Sequence, residues 1–372
     1  MTKSTLLGDI PIEIFLADYW QKKPLLIQGA VPQFDGLINP NDLAALSMRN
    51  DLDSRLILES ECWQVKTGPF SEKTLTNLPE SGWSLLVHDI NFIVQEADEL
   101  LHSFDFIPKA RLDDLMVSLA PPGGNVGAHY DSFDVFLLQG LGRKRWQVSQ
   151  QSDLKLVENA PLKLLSYFQP QYEWILEPGD MLYLPPHTAH HGVALDLSMT
   201  YSIGFRAPKY NELFRGFINH LEETRHLPGR YADPDLTLGK HPAALPANFI
   251  KTISEHFGTI QWGPNDIVDF LGCYLSEPKP NVVFRQPTRP LGQRAFSKKI
   301  LKQGIRIVGA ARLLFHKNQF WLNGALLVVE PMLYPQLKIL ADKRKMHSEN
   351  LTDSIKELLY SWYLQGIIDI GI

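Results

Sequence analysis

Cysteine is almost missing from this chain: Cys62 and Cys273 are the only two among 372 residues. That argues against a disulfide framework or a cysteine-built zinc site and fits a reducing compartment. No stretch of about 18 uncharged apolar residues occurs, so no transmembrane helix is expected. The leading MTKSTLLGDIPIEIFLADYWQKKPLLI is broken by Asp9, Glu13 and Asp18 and lacks a small-residue cleavage site, so it does not have a signal-peptide shape. We therefore expect a soluble, cytoplasmic protein with no membrane partner. Internal repeats and low-complexity tracts are also missing. So is any large excess of one charge: 36 basic against 41 acidic residues give a net charge of -5. Direct nucleic-acid binding is not expected on that balance.

What remains is a composition of 44% hydrophobic and 21% charged residues, enough to bury a sizeable core, on a length that suggests two or three domains. Residues 11–20, PIEIFLADYW, carry apolar side chains at helical spacing, with Pro11 suited to a first turn. QKKPLLIQG reads as a short strand, and 40–48 and 91–103 read as helices. From about residue 112 the texture becomes β-rich: LDDLMVSLA, HYDSFDVFLLQG, RKRWQVS, YEWILEPGD, MLYLPP and MTYSIGFRAP are divided by turns such as PPGGNVG, GLG, EPGD and PPHT. This predicts an antiparallel sandwich or barrel. After Pro208 the period changes to helical in NELFRGFINHLEETRH, ANFIKTISEHF and IVDFLGCYLSE. A proline-rich linker follows at 277–292. Beyond it IRIVGA, ARLLFHKNQFWLNG and ALLVVE read as a small sheet with an Asn-Gly turn at 323–324, and two helical stretches close the chain. The basic residues of ADKRKMH (341–347) and Lys298, Lys299 and Lys302 supply local positive charge, a pattern that surface solubility explains about as often as nucleic-acid contact does.

Three His-X-acid triplets occur, His129-Tyr130-Asp131, His220-Leu221-Glu222 and His347-Ser348-Glu349. Residues i and i+2 share a face on a strand but diverge on a helix. The last two lie in helical patterns and read as surface. The first follows a glycine-rich turn and precedes the apolar run Phe133–Leu138, where a polar pair aimed into a sheet needs compensation that a metal supplies. A second histidine cluster, His187, His190 and His191, follows the strand MLYLPP. Adjacent His190 and His191 face opposite ways, so at most one of them joins a metal, and His187 reads as a turn residue. Two histidines with one aspartate form a facial triad that leaves three octahedral positions open, the pattern of non-haem iron(II).

The run Gly127–Trp146, the segment Glu177–Pro186, and His190 with Gly192 resemble the jumonji C-type branch of the cupin superfamily, as does FLADYWQKKPLLI. The wording of DSRL, WSLLVHDIN, LDDLMVS, DVFLLQG and YSIGFRAP is closer still to the bacterial ribosomal oxygenases, which hydroxylate an arginine of the sixteenth large-subunit ribosomal protein. The resemblance implies a mainly β core plus α: a double-stranded β-helix (jellyroll, cupin) over 1–207, a helical dimerisation region over 208–280 and a winged-helix domain over 281–372. It implies a homodimer whose substrate is a large-subunit ribosomal protein. It places the metal ligands on His129, Asp131 and His190, with iron(II) as metal and 2-oxoglutarate and O2 as cosubstrates.

A buried cation must meet the distal carboxylate of 2-oxoglutarate. Strand alternation puts Lys144 on one face with Trp146 and Val148, and Arg143 with Arg145 on the other, solvated one. Lys144 also stands 15 residues after His129, where the resemblance places this cation, although relatives often carry arginine there. Ser118 is implied as its hydroxyl partner. An arginine substrate needs an acid at the mouth, with Asp113 and Asp134 as candidates and Ser202 as helper. Asp113 and Ser118 have opposite parity, so a bulge must intervene if both line the pocket. Two other readings stay open: a jumonji-type oxygenase acting on another protein or a small molecule, and a non-enzymatic cupin that binds a metal or ligand as an assembly factor.

Overall fold

The structure is a computed structural model that describes residues 5–59, 62–225, 228–347 and 351–371. The chain begins with α1 (Ile12–Asp18), β1 (Leu25–Ile27), α2 (Pro40–Ser47), β2 (Ser54–Leu58), β3 (Gln64–Thr67), α3 (Glu72–Thr76), β4 (Trp83–Val87) and α4 (Gln95–His102). Pro11 stands at the N-cap of α1 rather than within its first turn. At α2, Asn39 accepts from the backbone of Asn41 and Asp42, and Asp42 accepts from the Asn39 N–H. This reciprocal cap satisfies donors that helix geometry leaves orphaned, while Pro40 has no N–H to satisfy.

The β-rich stretch forms β5 (Leu112–Ala120), β6 (Val135–Leu141), β7 (Lys144–Ser149), β8 (Tyr172–Leu176), β9 (Met181–Leu184), β10 (Ala189–Ala194) and β11 (Ser198–Phe205). Among the described residues they make two antiparallel sheets. One has the order β1-β9-β6-β11-β5-β4-β2-β3 and the other β10-β7-β8. This is the double-stranded β-helix that the resemblance implied. Strands β2 to β4 widen the larger sheet at one edge, an extension that the turn pattern from residue 112 onward did not reveal.

Strand alternation sorts the side chains into two cores. Val135, Leu137, Trp146, Val148, Leu176, Leu182 and Leu184 pack inside the barrel. Phe136, Leu138, Met181, Tyr183, Leu115, Val117, Tyr201 and Ile203 point the other way and pack on the outer face with Phe15, Leu43, Leu101 and Phe104. A strand buried on both faces shows no hydrophobic alternation, which is why VFLL reads as one apolar run.

The rest of the chain adds α5 (Tyr210–Thr224), α6 (Ala247–Gly258), α7 (Pro264–Ser276), α8 (Gln293–Gln303), β12 (Ile305–Ile307), β13 (Leu313–His316), β14 (Gln319–Leu322), β15 (Ala325–Leu327), α9 (Tyr334–Lys343), β16 (Lys345–Met346), α10 (Asp353–Leu364) and β17 (Ile368–Ile370). Two compact units result. The first comprises residues 1–207, 278–311 and 343–372, and the second 208–277 and 312–342. In the first, the sheet β16-β12-β17 closes with α8 and α10 around Phe296, Tyr360 and Tyr363. Buried Arg344 joins that segment to α4, donating to the carbonyls of Val308 and Ala311 and pairing with Asp98 at 3.4 Å. In the second, α5 packs on α7 through Phe217, Leu221 and Phe270. There the β14–β15 turn uses Asn323 and Gly324, both with positive φ (51 and 88°), as an Asn-Gly hairpin requires. His220 lies on α5 as read, whereas Ser348 and Glu349 of the third triplet fall outside the described residues. Among the described residues no helix is long and apolar enough to cross a membrane.

Candidate metal centre and cosubstrate pocket

The loop between β5 and β6 runs beside β10 and delivers the first histidine to the second. Gly123 donates to the Ala194 carbonyl, Ala194 donates to Gly124, and His129 and His190 exchange backbone hydrogen bonds at 3.0 and 2.8 Å. Each imidazole is then locked by a carbonyl: His129 Nδ1 lies 3.0 Å from Gly127 O, and His190 Nδ1 lies 2.9 Å from Thr188 O. A carbonyl only accepts, so both Nδ1 atoms carry the proton and both Nε2 atoms offer a lone pair. Asp131 Oδ2 stands 3.8 Å from His190 Nε2, and one ligand atom from each of the three residues falls within 4.8 Å of the others. No other group among the described residues brings three histidine, cysteine or acidic ligands so close. The exposed His187, at positive φ (62°), contributes its N–H to the Asp131 carbonyl at 2.7 Å. His191 turns to the opposite face, where Nε2 meets Asn125 Oδ1 at 3.3 Å.

Burial, reinforced by the neighbouring His129, pushes His190 well below the ordinary imidazole value. Burial raises the Asp131 carboxyl, an effect that His129 opposes. A neutral imidazole is the ligating form, and a divalent cation offsets the cost of a desolvated carboxylate. Two nitrogen donors and one oxygen donor converging on one point, with no fourth protein ligand, fit a catalytic ion with open positions rather than a closed structural zinc.

The opposite end of the barrel holds the expected cation. Lys144 is 7% exposed, points inward with Trp146 and Val148, and lies 4.8 Å from the Trp146 ring. Burial lowers its pKa to about 8. The register places it opposite Ala194, while Val148 is opposite His190, so β7 runs from the cation to the metal end. Across the barrel, Ser118 pairs with Thr200, both buried and inward by the parity of their strands. Gly192 permits this packing, since a Cβ there would sit 2.6 Å from the Trp146 ring. Arg143 is exposed and pairs with Asp196 at 3.0 Å, on the solvated face expected for it. Signals the sequence did not single out include Trp146, whose buried Nε1 has no hydrogen-bond partner, and Gln139, which binds Ser198 and Thr200 inside the barrel.

The acids at the mouth are arranged differently from the expectation. Asp134 is fully buried on the outer face, accepting from Tyr183 Oη at 2.7 Å, Gln21 Nε2 at 2.9 Å and Arg111 at 3.3 Å. It shares the parity of Phe136 and Leu138, not that of the barrel interior, and so does not face the pocket. Asp113 lies near the mouth but is paired with Arg206 at 3.4 Å. The β5–β11 register shifts between Ile203 and Phe205, so Asp113 and Asp114 lie together opposite Gly204. Asp114, which the sequence did not single out, shares the inward parity of Met116 and Ser118. Its carboxylate lies against Gly204, where a Cβ would come within 3.3 Å of Oδ1. Ser202 is buried on the same inner face one register step away.

Residues 99–213 match the JmjC domain family, and residues 256–369 match the ROXA-like winged helix family. The chain is 34% identical over 364 residues to the ribosomal protein uL16 3-hydroxylase of Escherichia coli (strain K12), covering 96% of this chain and 95% of that protein. It is 40% identical over 239 residues to a probable ribosomal oxygenase of Haemophilus influenzae, covering 63% and 57% respectively. Among solved structures, Escherichia coli ycfD superposes with a TM-score of 0.85 at 31% identity, covering 98% and 99% of the two chains. The ribosomal oxygenase YcfD in complex with cobalt and 2-oxoglutarate superposes at 0.81 and 32% identity, covering 97% and 98%.

Proposed function

Since the chain belongs to the ribosomal oxygenases, a JmjC family of 2-oxoglutarate-dependent dioxygenases, we propose that it hydroxylates C3 of an arginine side chain in ribosomal protein uL16. The observation that carries this reading is the convergence of His129, Asp131 and His190 at one end of a barrel whose other end buries Lys144. His129, Asp131 and His190 would hold iron(II), which when bound would supply the oxidative chemistry that turns 2-oxoglutarate and O2 into succinate, CO2 and a hydroxylated C–H carbon.

The protein's own part is binding and exclusion. Lys144 neutralises the distal carboxylate of 2-oxoglutarate and the Ser118 hydroxyl donates to it. The apolar lining of Val135, Leu137, Trp146 and Leu184 keeps water from the oxidising centre. Asp114, rather than Asp134, takes the guanidinium, with Ser202 as the nearby hydroxyl. An arginine–carboxylate pair at the mouth fixes which carbon lies over the metal, and orientation is what such chemistry needs from a substrate clamp. No side chain is needed as a general base.

The helical region over 208–280 supports a homodimer. Tyr210 (90% exposed), Phe214 (64%) and Ile218 (42%) form an i, i+4, i+8 stripe on α5, and Phe257 on α6 is equally exposed at 64%. An apolar stripe of this kind is costly to leave in water. Light scattering should give twice the chain mass, and Phe214→Glu with Ile218→Glu should give the monomer. The winged-helix residues 281–372 complete the organisation, and the protein works in the cytoplasm.

The deciding experiment is incubation with ribosomal proteins, iron(II), 2-oxoglutarate and O2 followed by peptide mass spectrometry. Gain of one oxygen on a uL16 arginine is the expected result. Hydroxylation confined to another protein would remove the substrate assignment, and no oxygenated peptide with intact 2-oxoglutarate turnover would do the same.

A further inference from the structure

One ammonium serves three carboxylates beside the mouth of the barrel. Lys279 Nζ lies 2.7 Å from Asp89 Oδ1, 3.7 Å from Asp113 Oδ1 and 3.7 Å from Asp114 Oδ2. His88 Nδ1 approaches the same Asp114 oxygen at 3.1 Å, and Arg206 reaches Asp113. Asp89 and Asp114 are only 2% and 8% exposed, so water screens neither well. Lys279 is not part of the barrel. It lies on the strap that leads from α7 to α8, which is fastened a few residues on by Asn281 to the Asp51 carbonyl and by Arg285 to the Asp51 carboxylate at 2.8 Å.

Around His88 the cluster gathers three acidic side chains, Asp89, Asp113 and Asp114, and two basic ones, Lys279 and Arg206. Burial pushes Asp89 upward, whereas burial of Asp114 is overcome by His88 and Lys279, which hold that carboxyl near 2. Burial also pulls on Lys279, but Asp114, Asp113 and Asp89 together keep its ammonium above the ordinary lysine value. Without Lys279, two buried carboxylates would face one another with no cation between them. Like charges so placed do not both stay ionised: the pair would take up one proton from solvent and share it, which would partly neutralise Asp114.

We propose that Lys279 is a positioning residue for substrate recognition, holding the Asp114 carboxylate charged and oriented so that it can receive the substrate guanidinium at the barrel mouth. The proposal rests on the reading of Asp114 as the guanidinium acceptor. It gives the strap after the helical region a task in the reaction: recognition of the peptide, with no part in binding 2-oxoglutarate at Lys144. The one substrate-binding acid of the barrel is thus completed by a residue from outside it.

The test uses the full chain with iron(II), 2-oxoglutarate and an arginine peptide of the hydroxylated protein. Lys279→Met should raise the peptide KM about tenfold while kcat and the 2-oxoglutarate KM stay within about twofold, the pattern of lost substrate binding. Peptide-independent succinate formation should be unchanged, and Lys279→Arg, which keeps the charge, should restore most of the peptide KM. Arg285→Gln loosens the same strap at its other fastening, so it should lower Tm without moving the peptide KM. An unchanged peptide KM in Lys279→Met, or a rise matched by Arg285→Gln, would make Lys279 a structural latch and overturn the proposal. Asp114→Asn separates the two ideas. If it leaves the peptide KM unaltered, the reading of Asp114 fails. If it raises that KM while Lys279→Met does not, only the role of Lys279 fails.

Discussion

His129 and His190 face each other across a two-residue bridge, each donating its backbone N–H to the other's carbonyl, with their rings 4.2 Å apart. Their Nδ1 atoms are held by carbonyls on either side, so the two Nε2 atoms have no choice of direction. Alanine at His129, Asp131 or His190 should abolish iron-dependent succinate formation. His191→Ala, on the opposite face, should retain activity within about threefold, since removing a residue outside the triad costs only indirect packing. Full activity in any one of the three triad variants would refute the assignment.

Lys144 supplies a pH dependence whose sign is fixed by its burial. Its ammonium, held near a pKa of 8, is charged below that pH, and 2-oxoglutarate then binds without proton uptake. Above it the side chain must be reprotonated as the dicarboxylate enters, so the apparent dissociation constant should rise by roughly tenfold per pH unit at the limit. Lys144→Arg, which remains charged, should flatten that rise, and Lys144→Ala should weaken binding at all pH values. Titration of 2-oxoglutarate between pH 7 and 9.5 with a redox-inert metal reads this directly. An affinity independent of pH would show that another cation holds the cosubstrate.

Gly192 and Trp146 make a separate prediction about packing. Three ring carbons of Trp146 lie 2.6 to 2.8 Å from the position of an added Cβ. Gly192→Ala must displace the indole, at a cost of about 1–3 kcal/mol for an overpacked core. Because that ring also abuts Lys144, the 2-oxoglutarate KM should rise together with the drop in Tm. A stable variant with an unaltered KM would mean that the ring has room to yield.

Asp134 and Asp114 should separate stability from recognition. Asp134→Ala leaves Tyr183 Oη, Gln21 and Arg111 without their shared acceptor, and should cost about 2–3 kcal/mol of folding stability. The KM for peptide should hardly change. Asp114→Asn should do the reverse at the peptide KM. Chemical denaturation of both variants beside steady-state kinetics distinguishes them, and a peptide defect in Asp134→Ala without loss of stability would return that residue to the mouth.

How much of the site was legible depends on how each residue is positioned. Lys144 could be read because β7 alternates between a charged, solvated face and an apolar one, and period-two geometry then fixes its direction. Asp134 could not, because VFLL is buried on both sides and carries no mark of which side is the pocket. His190 and His191 are chemically identical neighbours. Parity says they diverge and the resemblance points to His190, while the pairing of β10 with the loop carrying His129 supplies the geometric reason. Asp113 and Asp114 are a similar pair: alternation from Ser118 puts Asp114 on the inner face, and only the pairing with β11 shows that the carboxylate lies against Gly204.

The sequence by itself determined the class of chemistry and the architecture that holds it. Few cysteines, short β runs set off by turns, a His-X-Asp after a glycine-rich turn and a second histidine cluster are local features, and local features survive in a one-dimensional reading. Tertiary structure decided everything that depends on two distant segments arriving at one point. It set His190 opposite His129, turned Asp134 to the outer core and brought Lys279 to Asp114 from beyond the helical region. The physical reason is that a lone side chain has a propensity, whereas a site is a set of distances, and only the folded chain sets those.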